Sequence, residues 1–329
     1  MRFIRLSRYF AHYSSLATRP SVFHFFLLLP NMIIRGPIKS LREFLRFVAA
    51  NKLPGSITRN DEFLPKIELM VCAVQKDFHL LERCIKQAIK HSANPIGSVN
   101  VIVPRGQVES CKTLISKFLD GRTTQVRVLN EESLISEHSR ELLRQALGNS
   151  YGWGLQQFLT VAFVLASKSK GVLAVNADTI ILHRRTWLNM SGRQEVLVSS
   201  EYHRPYYEVL KKINTDLSKI EYTFICHQML FQPHLLKGYL SKIHASSVEQ
   251  FIDITLSKAD CSVRSPFCIE FEFYAQSLYE YDRELMLLLR FGNITYKFDE
   301  SNLSSLAELS DLEGRALYNS LSQHSWLDN

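Results

Sequence analysis

Between residues 66 and 182, short apolar segments rich in β-branched residues alternate with amphipathic helical segments. Strands alternating with helices of this length predict a mostly parallel α/β sheet with helices on both faces. The predicted strands are KIELMVCAV, SVNVIVP, QVRVLN and VLAV, and the predicted helices are HLLERCIKQAIKHS, ESCKTLISKFL, SLISEHSRELLRQAL and LQQFLTVAFVLAS. Because ligands of such sheets bind beyond the carboxyl ends of the strands, we expect the chemistry there.

The second half of the chain is less regular. We predict strands over EVLVSSEYH, YTFICHQMLFQP and NITYKF, and helices over HLLKGYLSKI, VEQFIDITLSKA, CIEFEFYAQSLYEYD and LSSLAELSDLEGRALYNSL. The sequence contains no internal repeat and no low-complexity tract, so a solenoid or a disordered protein is not expected.

The positive charge of the chain is concentrated at its N-terminus. Residues 1–60 contain ten Lys and Arg and one acid, Glu43, whereas the rest of the 329 residues contain 29 basic and 31 acidic residues. We therefore predict two parts, a basic N-terminal extension over residues 1–60 and one α/β domain over residues 61–329.

Two segments of the extension bear on membranes. VFHFFLLLPNMII is divided by Pro30 and Asn31 and is too short to cross a bilayer, and no convincing signal-peptide cleavage site follows it. SLREFLRFVAANKL predicts an amphipathic helix with basic flanks. This helix is either a peripheral anchor on an anionic membrane or a helix packed on the back of the domain with a solvated basic side.

These features predict a cytoplasmic protein with peripheral contact on the inner face of the plasma membrane. Nucleic acid is not an expected partner, because the basic residues accompany no recognisable reader motif. The six cysteines show no C-x-x-C spacing, which argues against a zinc site or a disulfide framework and favours reduced thiols.

The segment VLAVNADTIIL places an amide and a carboxylate, Asn176 and Asp178, in the middle of an apolar run that we predict to be strand on both sides. Side chains two residues apart on extended chain point to the same side, so both could present oxygen to one ligand. The alternative is that Asp178 caps the following turn with the help of Thr179.

Familiar phosphate-binding motifs are absent from the sequence. No G-x-G-x-x-G follows the first strand, and no G-x-x-x-x-G-K-[ST] occurs, which disfavours Rossmann dinucleotide binding and P-loop chemistry. A haloacid-dehalogenase-type strand is also disfavoured, because the amide of Asn176 cannot form an aspartyl intermediate.

Five segments in sequence resemble the glycosyltransferases of the GT-A fold, most strongly the bacterial DUF6492 family. They are GWGLQQFLTVAFVL, LAVNADTIIL, SSEYHRPYY, TFICHQMLF and IEFEFYAQSL, and their order and spacing agree over residues 66 to 300. The resemblance implies a GT-A-like, Rossmann-like sheet that transfers a sugar from a nucleotide-sugar donor to a cell-surface glycan or a lipid-linked acceptor.

The resemblance also implies a donor site. The diphosphate would be bridged by Mn²⁺ or Mg²⁺ at Asn176 and Asp178, with His227 as a further ligand or a core histidine. Asn176 stands where the family has an acid, so metal binding would be weak or dispensable. Lys76 and Asp77 would contact the nucleotide, and Gln156 or Gln157 would orient the donor unless both only pack.

For the reaction itself, the resemblance implies a general base among Glu270 and Glu272, with Glu270 preferred. The other reading is that both acids only favour the start of a helix. Trp153, Glu201, Tyr202 and His203 would border the acceptor, although such an aromatic cluster also suits a core. The alternative function is a catalytically silent GT-A-like scaffold that binds a glycan at the membrane.

Overall fold

The computed structural model describes Leu53 and residues 63–119, 124–217, 220–297 and 320–324. The predicted basic extension, residues 1–60, therefore lies outside the described residues apart from Leu53. Ten strands occur in the described ranges: β1 Ile67–Cys72, β2 Ile96–Val103, β3 Gln125–Asn130, β4 Val172–Val175, β5 Thr179–Ile181, β6 Gln194–Val198, β7 Gln228–Phe231, β8 Met286–Arg290, β9 Asn293–Lys297 and β10 Ser320–His324.

Eight α-helices accompany these strands in the same ranges. They are α1 Phe78–Lys90, α2 Val108–Leu119, α3 Glu137–Leu147, α4 Tyr151–Ala166, α5 Arg204–Ile213, α6 Pro233–Lys242, α7 Val248–Lys258 and α8 Phe271–Tyr281. Among the described helices, none has the length and apolar character needed to span a bilayer.

The main sheet has five strands in the order β3-β2-β1-β4-β7. Strands β1 to β4 run parallel, and β7 runs antiparallel to β4. The predicted fold class, a mostly parallel α/β sheet flanked by helices, is confirmed. The carboxyl ends of β1 to β4 consequently meet at one edge of the sheet, where β7 begins.

Alternating side chains of the strands fill two separate cores on the two faces of the sheet. Met70 of β1 packs with α3 and α4, whereas its neighbours Leu69 and Val71 pack with α1 and α2. Burial on both faces requires apolar residues at nearly every strand position. This requirement explains why the sequence shows continuous apolar runs rather than apolar–polar alternation.

The segment after β4 departs from the prediction. Residues 180–182 were expected to continue the strand, but the chain leaves the main sheet at Asn176 and turns. Strand β5 then pairs with β10 in a separate three-stranded sheet, β5-β10-β9. The backbone N–H of Thr179 donates to the carbonyl of Asn176 at 2.9 Å, and this bond closes the turn.

Helix α4 is fixed against α3 by a tight connection. The side chain of Ser136 caps the start of α3 by accepting from the N–H of Ser139 at 3.2 Å. Gly148, with a φ of 49°, follows the last residue of α3. Gly154 lets α4 approach Leu147, because a Cβ at position 154 would clash with Cδ1 of that leucine. This packing sets the direction in which the start of α4 presents its side chains.

The predicted C-terminal helix, residues 303–321, lies outside the described residues except for its last two positions. Ser320 and Leu321 are not helical but begin β10, which pairs in parallel with β9. Residues 293–297 form the strand predicted over NITYKF. A local pattern over residues 303–321 could not reveal a strand whose partners lie far away in sequence.

Candidate functional site

A cleft of ≈ 1720 Å³ lies at the edge of the main sheet where the parallel strands end. Each parallel strand supplies a residue at or directly after its carboxyl end: Cys72, Pro104, Glu131 and Asn176. The position agrees with the expectation that ligands of open α/β sheets bind beyond the carboxyl ends of the strands.

The segment Asn176-Ala177-Asp178 enters this cleft as the chain turns away from β4. Asn176 and Asp178 are half-buried and line the cleft, whereas Ala177 is 6 % exposed. The backbone N–H of Asn176 donates to the carbonyl of His227 at 2.9 Å, which extends the pairing of β4 and β7 by one residue. The turn therefore carries the carboxylate of Asp178 out of the sheet and into the cleft.

The side chain of Asn176 is engaged with two other cleft residues. Its Oδ1 accepts from Nε2 of Gln156 at 3.1 Å, and its Nδ2 lies 3.4 Å from Nδ1 of His227. Exchanging the amide oxygen and nitrogen would leave the same two neighbours. Asn176 thus links α4 to the start of β7 across the end of β4.

The predicted metal ligands Asn176, Asp178 and His227 do not act as one donor set in this arrangement. Asn176 and His227 contact each other, and the amide also contacts Gln156, so Asp178 is the member of this set that brings a carboxylate to the cleft. In the part of the chain that is described, no three His, Cys, Asp or Glu side chains are grouped to hold an ion. A protein-held ion cage does not fit, whereas an ion sharing Asp178 with phosphate oxygens does.

The two predicted acids before and within α8 have different surroundings. Glu270 lines the cleft and is 6 % exposed, and its Oε2 has no hydrogen-bond partner among the described residues. Glu272 is fully buried away from the cleft. Its Oε1 accepts from the Tyr207 hydroxyl at 2.7 Å and from the Phe224 N–H at 2.6 Å, and its Oε2 accepts from Gln276 at 2.9 Å.

These contacts correct the prediction for one acid. The oxygens of Glu272 are occupied by three donors that belong to α5, α8 and the segment before β7, so Glu272 joins these parts of the fold and is not placed to meet a substrate. Of the two predicted glutamates, Glu270 is the one that lines the cleft.

Burial raises the pKa of both glutamates to about 7. For Glu270, a hydrogen bond with the side chain of Thr160 opposes this shift. A carboxyl group with a pKa near neutrality can take up or release a proton at the pH of the cell. Burial also raises the pKa of the Cys72 thiol beside it, and the charge of Glu270 adds to that shift.

Acidic side chains outnumber basic ones along the cleft. Of the described residues, two basic ones, Lys76 and Arg264, line it together with five acids: Asp77, Glu131, Asp178, Glu201 and Glu270. Burial raises the pKa of Asp77, and the nearby charge of Asp178 raises it further. A ligand carrying net negative charge would therefore enter more favourably together with a cation.

The remaining predicted residues divide into two groups. Lys76, Asp77, Gln156, Trp153 and Glu201 line the cleft. Gln157, Tyr202 and His203 do not line it.

Gln157 does not orient a ligand, because it is 1 % exposed and its Oε1 accepts from the N–H of Ile269 at 2.8 Å. It therefore holds the backbone next to Glu270 in place. Tyr202 stacks on Tyr207 with ring centroids 4.7 Å apart. The ring of His203 packs edge-on against Tyr206 with centroids 4.5 Å apart, outside the lining of the cleft.

Trp153 lines the cleft and also packs against two other aromatic rings. Its ring stacks on Tyr206 at 6.2 Å and on Phe267 at 5.7 Å between centroids. The stack joins α4, α5 and the segment before Glu270.

Sequence reasoning missed two charged residues of the cleft. Glu131 directly follows β3, so the carboxyl-end rule applied to that strand could have identified it. Arg264 lies in the irregular segment between α7 and α8, where no periodicity or motif indicates a position in the cleft. Only the course of that segment in three dimensions brings Arg264 to this cleft.

The fold and the site define an α/β protein with an acid-rich polar cleft at the carboxyl edge of its sheet. No protein-family model matches the chain, and no curated protein matches it.

Solved structures with a similar course of chain include mouse xyloside xylosyltransferase 1 in its apo form. Its TM-score is 0.39 with 10 % identity, covering 79 % of this chain and 98 % of that one. Another is the galactosyltransferase LgtC in complex with donor and acceptor sugar analogues. Its TM-score is 0.42 with 12 % identity, covering 78 % of this chain and 86 % of that one. Both TM-scores are below 0.5.

Proposed function

We propose that this protein is a glycosyltransferase that moves a sugar from a nucleotide-sugar donor to a glycan or a lipid-linked acceptor. One observation carries the proposal. Glu270, a buried acid with an unpartnered carboxylate oxygen, shares a cleft at the carboxyl edge of the sheet with the segment Asn176-Ala177-Asp178. A potential base and a strand-end carboxylate in one polar cleft match the needs of sugar transfer from a diphosphate.

The donor's diphosphate would lie near Asp178 and the two basic residues of the cleft, Lys76 and Arg264. The positive charges of these two side chains are fewer than the negative charges of the five cleft acids and a diphosphate together. We therefore propose that Mn²⁺ or Mg²⁺ enters with the donor, held by Asp178 and by phosphate oxygens, as is usual for Mg²⁺ in proteins. When bound, the ion neutralises charge on the departing nucleoside diphosphate.

Glu270 would act on the acceptor. Its carboxylate takes the proton of an acceptor hydroxyl while that oxygen bonds to the anomeric carbon of the donor sugar. The bond from the anomeric carbon to the diphosphate breaks, and the nucleoside diphosphate leaves with the electron pair. A pKa of about 7 leaves a substantial part of Glu270 ionised at neutral pH and basic enough to accept a proton.

Asn176, Gln156 and His227 would position the segment that carries Asp178. Because Asn176 contacts both α4 and the start of β7, it holds the turn between Val175 and Thr179 in one place. Membership of the DUF6492 family and a cytoplasmic location with peripheral membrane contact remain predictions from the sequence.

A thermal-shift panel of nucleotide-sugars, with and without Mn²⁺, tests the proposal. A ligand at a hundred times its dissociation constant stabilises a protein by about 2.7 kcal/mol, which raises the melting temperature by a few degrees. We expect one nucleotide-sugar to shift the wild type, more strongly with Mn²⁺. Asp178→Ala should lose most of the shift. Equal shifts of the wild type and Asp178→Ala by every donor would refute the proposed site.

A catalytically silent glycan-binding protein with the same fold is the second candidate. The mutual engagement of Asn176, Gln156 and His227 favours it, because it leaves a single carboxylate at the strand end. Release of nucleoside diphosphate separates the two functions. A transferase releases it when an acceptor is added to the enzyme–donor complex, whereas a silent binder shows the thermal shift without release.

A further inference from the structure

A second hollow, the basic groove, lies at the opposite edge of the main sheet, where β1, β2 and β3 begin. Its volume is ≈ 660 Å³, within the usual range for small-ligand sites. In the described part of the chain, its lining contains one acid, Glu68, and four cationic side chains: Lys66, Arg127, Lys168 and Lys170. The charge of this hollow is thus opposite in sign to that of the acid-rich cleft.

Glu68 offsets only part of the positive charge of the basic groove, because the described lining has one acid and four cations. Oε1 of Glu68 accepts from the hydroxyl of Ser98 at 3.2 Å, and its Oε2 accepts from the hydroxyl of Ser167 at 2.8 Å. Among the described residues, no ion pair involves any of the four cations. Four positive charges around one hollow repel each other, and an anion would remove that repulsion.

The loop that carries two of the cations is fixed internally. Ser167 and Ser169 alternate with Lys168 and Lys170, so the serines face inward and the exposed lysines face outward. The hydroxyl of Ser167 holds Glu68 and also accepts from the N–H of Ser169 at 3.1 Å. The hydroxyl of Ser169 in turn donates to the carbonyl of Gly171 at 2.9 Å.

The other two cations are also held by uncharged contacts. The stem of Lys66 lies across Gly97, where a Cβ would stand 2.8 Å from Cε of the lysine. Arg127 donates to Oε1 of Gln125 at 2.8 Å. Among the described residues, Lys66 and Arg127 are thus positioned by uncharged contacts, which lowers the entropy lost when an anion binds.

We propose that the basic groove binds a phosphate ester with two or more negative charges, independently of sugar transfer in the acid-rich cleft. Lysine and arginine side chains are the usual partners of such groups. A soluble phosphate ester and a phospholipid headgroup share this chemistry, so the test uses one probe of each kind.

Hydrogen–deuterium exchange on the full-length chain localises binding. We expect inorganic pyrophosphate, or vesicles containing phosphatidylglycerol, to protect the amides of residues 167–171. In the double variant Lys168→Ala/Lys170→Ala, the dissociation constant of the bound probe should rise about twentyfold. Each cation near a phosphate group strengthens binding by about a factor of five. Lys237→Ala/Lys258→Ala, which removes two exposed lysines from α6 and α7, should bind as the wild type does.

Protection by pyrophosphate would assign the groove to soluble phosphate esters, and protection by anionic vesicles alone would assign it to a lipid headgroup. No protection with either probe, or equal protection in the two double variants, would overturn the proposal. Because this readout reports only the groove, it is independent of whether the acid-rich cleft transfers sugar.

A second variant changes the position of a cation without changing any charge. Gly97→Ala would push the flexible end of Lys66 away from the strand, at little cost to the fold, because the clash is with the far end of a side chain. We expect weaker pyrophosphate protection, by about threefold or more. Gly238→Ala on α6, where an added Cβ meets nothing within 4 Å, is the matched control.

Discussion

Glu270 and Glu272 are two residues apart and share a raised pKa of about 7, but their surroundings give them different roles. Glu272 has three hydrogen-bond donors around its carboxylate, and Glu270 has an oxygen without a partner at the wall of the cleft. A raised pKa alone would not distinguish a base from a structural acid; the contacts do.

Glu270→Gln tests this distinction. The substitution removes the proposed base while keeping the shape of the side chain, so we expect turnover to fall by at least about 100-fold. Its melting temperature at pH 8 should be unchanged or higher, because a buried carboxylate without a full set of partners is lost. Turnover is measured as release of nucleoside diphosphate.

Glu272→Gln is the matched variant, two positions away and equally buried. It should lose about 1–3 kcal/mol of stability, because an amide NH₂ replaces an oxygen that accepted hydrogen bonds. The folded fraction should keep most of its turnover. If Glu272→Gln loses as much turnover as Glu270→Gln without losing stability, the assignment of the base to Glu270 is wrong.

At the scale of the elements, the turn between β4 and β5 brings the carboxylate of Asp178 into the cleft at the end of β4. It closes through the backbone of Asn176 and Thr179, and the Asn176 side chain fastens it to α4 and to the start of β7. The sequence predicts that Asn176 and Asp178 share one ligand, and both residues do line the cleft. The side-chain amide of Asn176, however, contacts Gln156 and His227.

Asn176→Asp is expected to change the response of this turn to metal. The new carboxylate can still accept from Gln156 and adds a second acid beside Asp178, and a further carboxylate strengthens the binding of a hard cation. We expect the thermal shift with nucleoside diphosphate to respond to at least about tenfold lower Mn²⁺ than in the wild type.

Asn149→Asp is the control, because it adds the same charge to an exposed position that also lines the cleft. A similar gain in that variant would mean that cleft charge in general, and not the strand end, attracts the ion.

For the whole molecule, the two buried glutamates predict how stability depends on pH. Their pKa values are about 7 in the folded state, above the ordinary value of 4.5 that applies to an unfolded chain. Between these values the folded state binds more protons than the unfolded state. The free energy of unfolding therefore falls as pH rises from about 4.5 to 7.

Each such group contributes a slope of at most about 1.4 kcal/mol per pH unit. The free energy of unfolding, measured by urea denaturation at several pH values between 5 and 7, should thus fall less steeply with pH in Glu270→Gln than in the wild type. The exposed substitution Asp253→Asn should leave the slope as it is. An unchanged slope in Glu270→Gln would mean that Glu270 is ionised in this range.

The distribution of charge also belongs to the whole molecule. The main sheet has an acid-rich cleft at its carboxyl edge and the basic groove at its amino edge. Parallel strands bring the residues at equivalent ends of β1, β2 and β3 together, so charges that are scattered along the chain are collected at two opposite edges.

The amino-acid sequence by itself determined the alternation of strands and helices over residues 67–175 and the edge of the sheet where a site should lie. Both follow from hydrophobic periodicity, which is a local property, together with the rule for parallel sheets. Tertiary structure decided which acid faces the cleft. Glu272 meets Phe224 across 48 residues of chain, and Asn176 meets His227 across 51. Such partners are chosen by packing, because a side chain's surroundings depend on elements that are distant in sequence.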